Sequence, residues 1–157
     1  MTMQSLSRRL VLASGAAAAF GGPALARTRP TRTLAVYKSP TCACCDGWVA
    51  HMRQAGFTTT VHVTSDLRAF RLARGLPDTL ASCHTGVIGG YLVEGHVPAA
   101  DVVRLLAQRP QAIGITVPGM PMGSPGMEAG GRREPFDTLL VLRSGATRVF
   151  TRHNRAA

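Results

Sequence analysis

A short apolar run, Leu34-Ala35-Val36-Tyr37, meets Ser39-Pro40 and then Thr41-Cys42-Ala43-Cys44-Cys45. Trp48, Val49, Met52 and Ala55 follow at helical spacing. A buried strand, a cysteine loop and a helix from about Cys44 to Ala55, stopped by Gly56, accommodate all three features. Three of the chain's four cysteines thus crowd one loop, and Cys83 is the fourth. An even cysteine count in an oxidising compartment ordinarily means disulfides. This spacing argues against two purely structural bridges, because adjacent Cys44 and Cys45 could bridge each other only with strain. A cluster this tight suits metal ligation or redox exchange.

The remaining pattern extends the same plan. Thr58 to Thr64 alternates as a strand, with Thr59, Val61 and Val63 on one face and Thr60, His62 and Thr64 on the other. Ser65 is the expected cap of a second helix, with Leu67, Phe70 and Ala73 inward, Gly75 at its end and Pro77 at the break. Thr85 to Ile88 and Tyr91 to Glu94 flank Gly89-Gly90, a hairpin signal. A helix from about Pro98 to Gln108 shows Val102, Val103, Leu105 and Leu106 on its apolar side and ends at Pro110. Val117 to Gly131 holds too many glycines and prolines for helix or strand and reads as a long loop. Thr138 to Arg143 and Thr147 to Arg152 form a second hairpin around Ser144-Gly145. The expected fold class is α/β: a thioredoxin-like mixed sheet with flanking helices, plus a Met/Gly/Pro-rich loop and a C-terminal hairpin. It occupies residues 33–152 as one domain, with 153–157 as a tail. The cysteines fall between the first strand and the first helix, where a thioredoxin-like plan carries its active site.

The first 26 residues read as a cleaved signal peptide. Arg8-Arg9 precede the apolar stretch Leu10 to Phe20, and Ala24-Leu25-Ala26 supplies a small-residue cleavage site. The apolar stretch is shorter than the roughly 20 residues a membrane span needs, so no stable membrane anchor is expected. Ser7-Arg8-Arg9-Leu10-Val11-Leu12 fits a twin-arginine export signal, with an ordinary secretory signal as the alternative. Residues 27–32 are a flexible lead-in. The expected location is the periplasm. The net charge of +10 comes from scattered arginines beside one Trp and two Tyr. With no aromatic platform to stack bases, nucleic acid is not an expected partner.

Cys42 and Cys45 have C-x-x-C spacing at a helix N-terminus, where the partial positive charge favours thiolate. Thiolate is both nucleophile and metal ligand, so other residues must choose between the two. A thioredoxin-type oxidoreductase carries a cis-proline before the strand facing its cysteine pair. The corresponding stretch here is Ser82-Cys83-His84-Thr85, which offers a thiol and an imidazole instead. Cys44 adds a thiol beyond what a disulfide shuttle needs. Met120, Met122 and Met127 supply thioethers in what should be an exposed loop. Soft thiolate and thioether donors favour Cu(I), and imidazole serves either copper state. Copper is therefore the expected metal, with Cys42, Cys44, Cys45, Cys83, His84, His96, Met120, Met122 and Met127 as candidate ligands. Zinc is less favoured, because structural zinc sites use two separated ligand pairs. Met52 reads as core. His51 flanks its helix's apolar stripe, His62 lies on a polar strand face, and His153 lies near a frayed terminus; none of the three is an expected ligand.

Cys42-Ala43-Cys44-Cys45, Ser82-Cys83-His84-Thr85, Val93-Glu94-Gly95-His96-Val97-Pro98 and Pro118-Gly119-Met120-Pro121-Met122-Gly123-Ser124-Pro125-Gly126-Met127-Glu128 together resemble the copper-resistance protein G family. The resemblance runs from about Thr33 to Arg152. It implies a thioredoxin-like fold, export to the periplasm, copper binding and a part in copper tolerance, through cycling copper between its oxidation states. It carries over Cys42, Cys44, Cys45 and Cys83 as the thiol set, with His96 and the loop methionines beside them. Copper ions, and other periplasmic copper-handling proteins, are the implied partners. Two other readings stay open: a thiol–disulfide oxidoreductase in which Cys42 attacks and Cys45 resolves, and a zinc-stabilised scaffold.

Overall fold

The computed structural model describes residues 32–155 apart from Ala129. The expected signal peptide, the lead-in as far as Thr31 and the end of the tail lie outside the described residues. The elements are β1 (Thr33–Lys38), α1 (Cys44–Gln54), β2 (Thr58–Val63), α2 (Leu67–Leu72), a 3-10 turn (Asp78–Leu80), β3 (His84–Ile88), β4 (Tyr91–Glu94), α3 (Ala99–Gln108), β5 (Ala112–Thr116), β6 (Phe136–Leu142) and β7 (Thr147–His153). The seven strands form one mixed sheet in the order β2-β1-β3-β4-β5-β6-β7. β1 runs parallel to β2, and β4 to β5; the other neighbours are antiparallel. The α/β class, the mixed sheet, its flanking helices and the C-terminal hairpin are as expected.

Side-chain alternation divides the core. Leu34 and Val36 of β1, Val93 of β4 and Ile115 of β5 meet Trp48, Val49 and Met52 of α1 and Val102 and Leu105 of α3 in one cluster. Leu92 leaves β4 in the opposite direction and packs with Leu76 and Val141, beside Leu80, Val87 and Ile113. Full burial of side chains such as Leu34, Met52 and Leu105 stabilises by roughly 1.5–3 kcal/mol each. Trp48 donates its indole N–H to the Val97 carbonyl at 2.8 Å. That bond joins α1 to the segment just behind His96. Among the described residues no helix is long and apolar enough to cross a membrane.

Several expectations are corrected. Gln111 to Thr116 belonged to no expected element, yet β5 runs through the sheet between β4 and β6. Five residues with a central Gly114 carry little periodic signal, and the strand exists through its pairing to Leu92, Val93 and Glu94. The cap of α2 is Asp66, whose carboxylate accepts from Ala69 N at 2.9 Å, and not Ser65. On that helix Ala73 is exposed and Arg71 is buried, the reverse of an apolar-inward reading. Pro98 stands one residue ahead of α3 in an extended conformation. β2 is an edge strand, which leaves Val61 and Val63 exposed although they share a face with half-buried Thr59. His153 is no frayed residue: it ends β7, with Nε2 2.9 Å from Asp101 and 3.0 Å from Thr138, and its ring stacks on Phe136.

Candidate metal centre

The cysteine loop bridges β1 and the N-terminus of α1, and Cys83 precedes β3, the antiparallel neighbour of β1. The topology therefore brings residues 38 to 41 positions apart in sequence to one end of the sheet. Cys42, Cys44, Cys45 and Cys83 present sulfurs within 4.8 Å of one another. Cys42 and Cys45 are joined in a disulfide, and Cys44 and Cys83 are free. Cys44 Sγ lies 3.5 Å from Cys42 Sγ and 3.9 Å from Cys83 Sγ. Cys45 Sγ is 3.6 Å from the Cys83 carbonyl oxygen.

A second group shares Cys83: with His84 and His96 it again places three donor atoms within 4.8 Å. Cys83 Sγ is 3.2 Å from His84 Nδ1 and 3.1 Å from His96 Nε2. His96 Nδ1 faces the Pro125 carbonyl at 2.8 Å. A carbonyl only accepts, so Nδ1 carries the proton and the Nε2 lone pair of the neutral ring points at Cys83. Ligating histidines are commonly oriented in this way, with the far nitrogen held by a carbonyl. His84 is wholly buried, its ring 4.3 Å from Trp48 and edge-on to His96 at 5.0 Å. Among the described residues its Nε2 is buried without a hydrogen-bond partner.

Burial shapes the charge states. It pushes the Cys83 thiol up to about 12, helped by the neighbouring Cys44. Burial pulls His84 down to about 3, with the nearby His96 adding to it, and also lowers His96 and His51. Burial thus favours the neutral forms of Cys83, His84 and His96 in the metal-free site, and a bound cation would favour the Cys83 thiolate as its ligand. With the disulfide closed, Cys44, Cys83, His84 and His96 remain as donors. Two electrons open it and raise the set to four thiols and two imidazoles. This soft donor set suits a soft metal such as copper.

The pH dependence has a definite sign. A histidine whose folded pKa lies below its ordinary 6.5 contributes stability that is present above pH 6.5 and lost as pH falls toward the folded value. For His84 the window is pH 6.5 down to about 3, on the order of 5 kcal/mol at its limit. His96 and His51 act in the same direction. Glu94, raised by burial, opposes them, since its protonated form favours the folded state. Chemical denaturation of the metal-free protein from pH 8 to 4 should show stability falling below pH 6.5, and His84→Phe should flatten that decline.

A buried strut holds Cys83 in place. Glu94 of β4 is fully buried. One carboxylate oxygen accepts from Arg71 at 3.0 Å and from Ser82 N at 2.7 Å; the other accepts from Thr85 Oγ1 at 2.5 Å. Arg71 also donates to the Ser82 carbonyl at 2.8 Å. The carboxylate therefore spans the Cys83-His84 pair from Ser82 to Thr85. Glu94 stands inside a sequence motif with no local sign of this role, and nothing near Arg71 in the chain marks it for burial.

The methionine loop is stitched down over the centre. Ser82 Oγ donates to the Gly119 carbonyl at 2.5 Å. Met122 N donates to Glu134 at 3.1 Å, and Met127 N to the Ser124 carbonyl at 2.8 Å. Gly126, at φ +85°, lies flat on the first turn of α1: a Cβ there would stand 2.6 Å from Trp48 N and 3.0 Å from the Cys44 carbonyl. Only Met120 is exposed, whereas Met122 and Met127 are half-buried, contrary to the exposed setting expected for all three. Among the described residues, the polar contacts of the four sulfurs involve cysteine, serine, histidine and a carbonyl, and no methionine. His51 accepts from Ala99 N at 3.1 Å and so caps α3. His62 is exposed and stacks on Tyr37.

A family model described as a protein of unknown function, DUF411, matches residues 80–127, the stretch carrying Cys83, His84, His96 and the methionine loop. No curated protein matches the chain. Two solved structures match, described as copper resistance protein CopG, form 1 and form 2. Form 1 is 43% identical over 77% of this chain and 96% of its own, with a TM-score of 0.74. Form 2 is 43% identical over 78% and 98%, also with a TM-score of 0.74. By that identity over more than three quarters of its length, the chain belongs to the copper resistance protein CopG family.

Proposed function

We propose that this chain is an exported, periplasmic copper-binding protein of copper resistance, which holds Cu(I) through Cys42, Cys44, Cys45 and Cys83 with His96 and His84 beside them. The observation that carries this reading is the pair of donor groups meeting at Cys83. Sulfur from two segments, the loop of Cys42, Cys44 and Cys45 and the stretch at Cys83, converges there with two imidazoles, and that chemistry suits Cu(I) over zinc. The Met120, Met122 and Met127 loop is the cover over the centre and the side from which copper enters. Arg8-Arg9 and Ala24-Leu25-Ala26 support export. The β2-β1-β3-β4 order, with β2 parallel and β3 antiparallel to β1, supports the thioredoxin-like reading.

The Cys42–Cys45 disulfide favours one further element, redox coupling: copper changes oxidation state as the thiols open and close. It equally favours the rival thiol–disulfide oxidoreductase. The deciding experiment compares reduced and oxidised full-length mature protein for Cu(I) bound per chain, with free thiols titrated before and after loading. Copper uptake that consumes thiols and falls when Cys42–Cys45 is oxidised supports the copper reading. No copper uptake, together with turnover of a disulfide substrate such as insulin, would transfer the site to the oxidoreductase.

A further inference from the structure

Cys44 and Cys83 are the two thiols left once Cys42 and Cys45 are paired. They belong to different elements, one opening α1 and the other leading into β3, yet their sulfurs are 3.9 Å apart and both are half-buried. Cys44 has no better mate: its neighbour Cys45 would strain, and Cys42, at 3.5 Å, is already bonded. Ser82 and Glu94 fix the backbone before Cys83, and Gly126 holds the first turn of α1. The two residues thus approach from anchored segments, with a sulfur gap that closes to a bond of about 2.05 Å by moving about 1.9 Å.

We propose that Cys44 and Cys83 form a second redox-active dithiol, so that the fully reduced protein delivers four electrons to Cu(II), two from each pair. This rests on the copper reading above. In the added step the two thiols lose two protons to solvent and form one S–S bond. The two electrons released reduce two Cu(II) ions to two Cu(I). The Cys42 and Cys45 thiols supply the other two electrons by the same balance. Closing both pairs removes all four thiolate ligands and leaves His84 and His96 as the only members of the two donor groups still able to bind. Electron delivery and loss of Cu(I) affinity are then one event.

The test is an anaerobic titration of the fully reduced mature chain with Cu(II), with Cu(I) read by a Cu(I)-specific chromogenic chelator. The products are digested without reductant and mapped by mass spectrometry. The expected yield is four Cu(I) per chain for the wild type and two for either Cys44→Ser or Cys83→Ser. The Cys83 peptide should be joined to the Ser39–Arg53 peptide in the wild type and not in Cys44→Ser. A wild-type yield of two, with Cys44 and Cys83 still open to alkylation, would overturn the proposal and leave copper binding intact. A parallel oxidation with diamide, without copper, separates the two ideas. Diamide joining Cys44 to Cys83 while Cu(II) yields no Cu(I) would sink the copper reading and retain the dithiol. Failure of diamide and Cu(II) alike to join them sinks the dithiol.

Discussion

Replacing Cys83 by serine is expected to weaken Cu(I) binding by well beyond the roughly 10–100-fold that losing a supporting partner costs a metal site. Cys83 is the one residue common to both donor groups. Its sulfur faces Cys44, His84 and His96 at 3.9, 3.2 and 3.1 Å. Serine preserves the side-chain size and can still hydrogen-bond to the imidazoles, so the fold should survive. A hydroxyl is a hard donor and stays protonated, however, so it does not replace a thiolate toward a soft ion. Competition against a Cu(I) chelator measures the loss, with circular dichroism as the folding control. Cys42→Ser should cost less, because Cys42 belongs to one group only. Equal and small losses for the two variants would mean that the metal does not sit at the junction.

The second large effect is on stability. Glu94→Ala removes the carboxylate that meets Arg71, Ser82 and Thr85. The Arg71 guanidinium is then left almost buried with no counter-charge, and the Ser82 N–H loses its acceptor. Breaking a buried pair from one side costs about 3–5 kcal/mol. For a domain of this size that corresponds to a fall in Tm of roughly 10–20 °C. The control is Arg71→Met combined with Glu94→Leu, since apolar replacement of both partners of a buried pair is often neutral. The double variant should regain most of the lost stability, while thiol accessibility at Cys83 should stay altered because the Ser82 backbone then loses both its Glu94 and its Arg71 partner. A Glu94→Ala protein that melts within a few degrees of wild type would show that the strut carries little.

How much of this was legible beforehand follows from what kind of contact each feature rests on. The strand, loop and helix around Cys42 to Cys45 were readable because helical spacing of Trp48, Val49 and Met52 and the stop at Gly56 are local properties. The hairpin at Gly89-Gly90 was readable for the same reason: both glycines have positive φ, which glycine adopts without penalty. β5 was not, because a five-residue strand between two others is stabilised by neighbours remote in the chain. Arg71 gave no local sign of burial because amphipathic patterning assigns a charged residue to solvent, and only its carboxylate partner 23 positions away makes its burial tolerable. His153 was set aside because nothing adjacent in the chain announces Asp101.

The sequence by itself determined the donor inventory: four cysteines, two histidines in motif and a methionine loop, all soft or borderline ligands. That inventory already favoured copper, because ligand softness is a property of the side chains and needs no fold. The tertiary structure alone decided which donors meet. It closed Cys42 onto Cys45, set Cys83 beside Cys44 and both imidazoles, turned His96 Nε2 inward through the Pro125 carbonyl, and left the methionine sulfurs outside the polar contacts of the cluster. The reason is the antiparallel pairing of β1 with β3. It carries residues 83 and 84 to the loop that precedes α1, and no pattern confined to either segment specifies that approach.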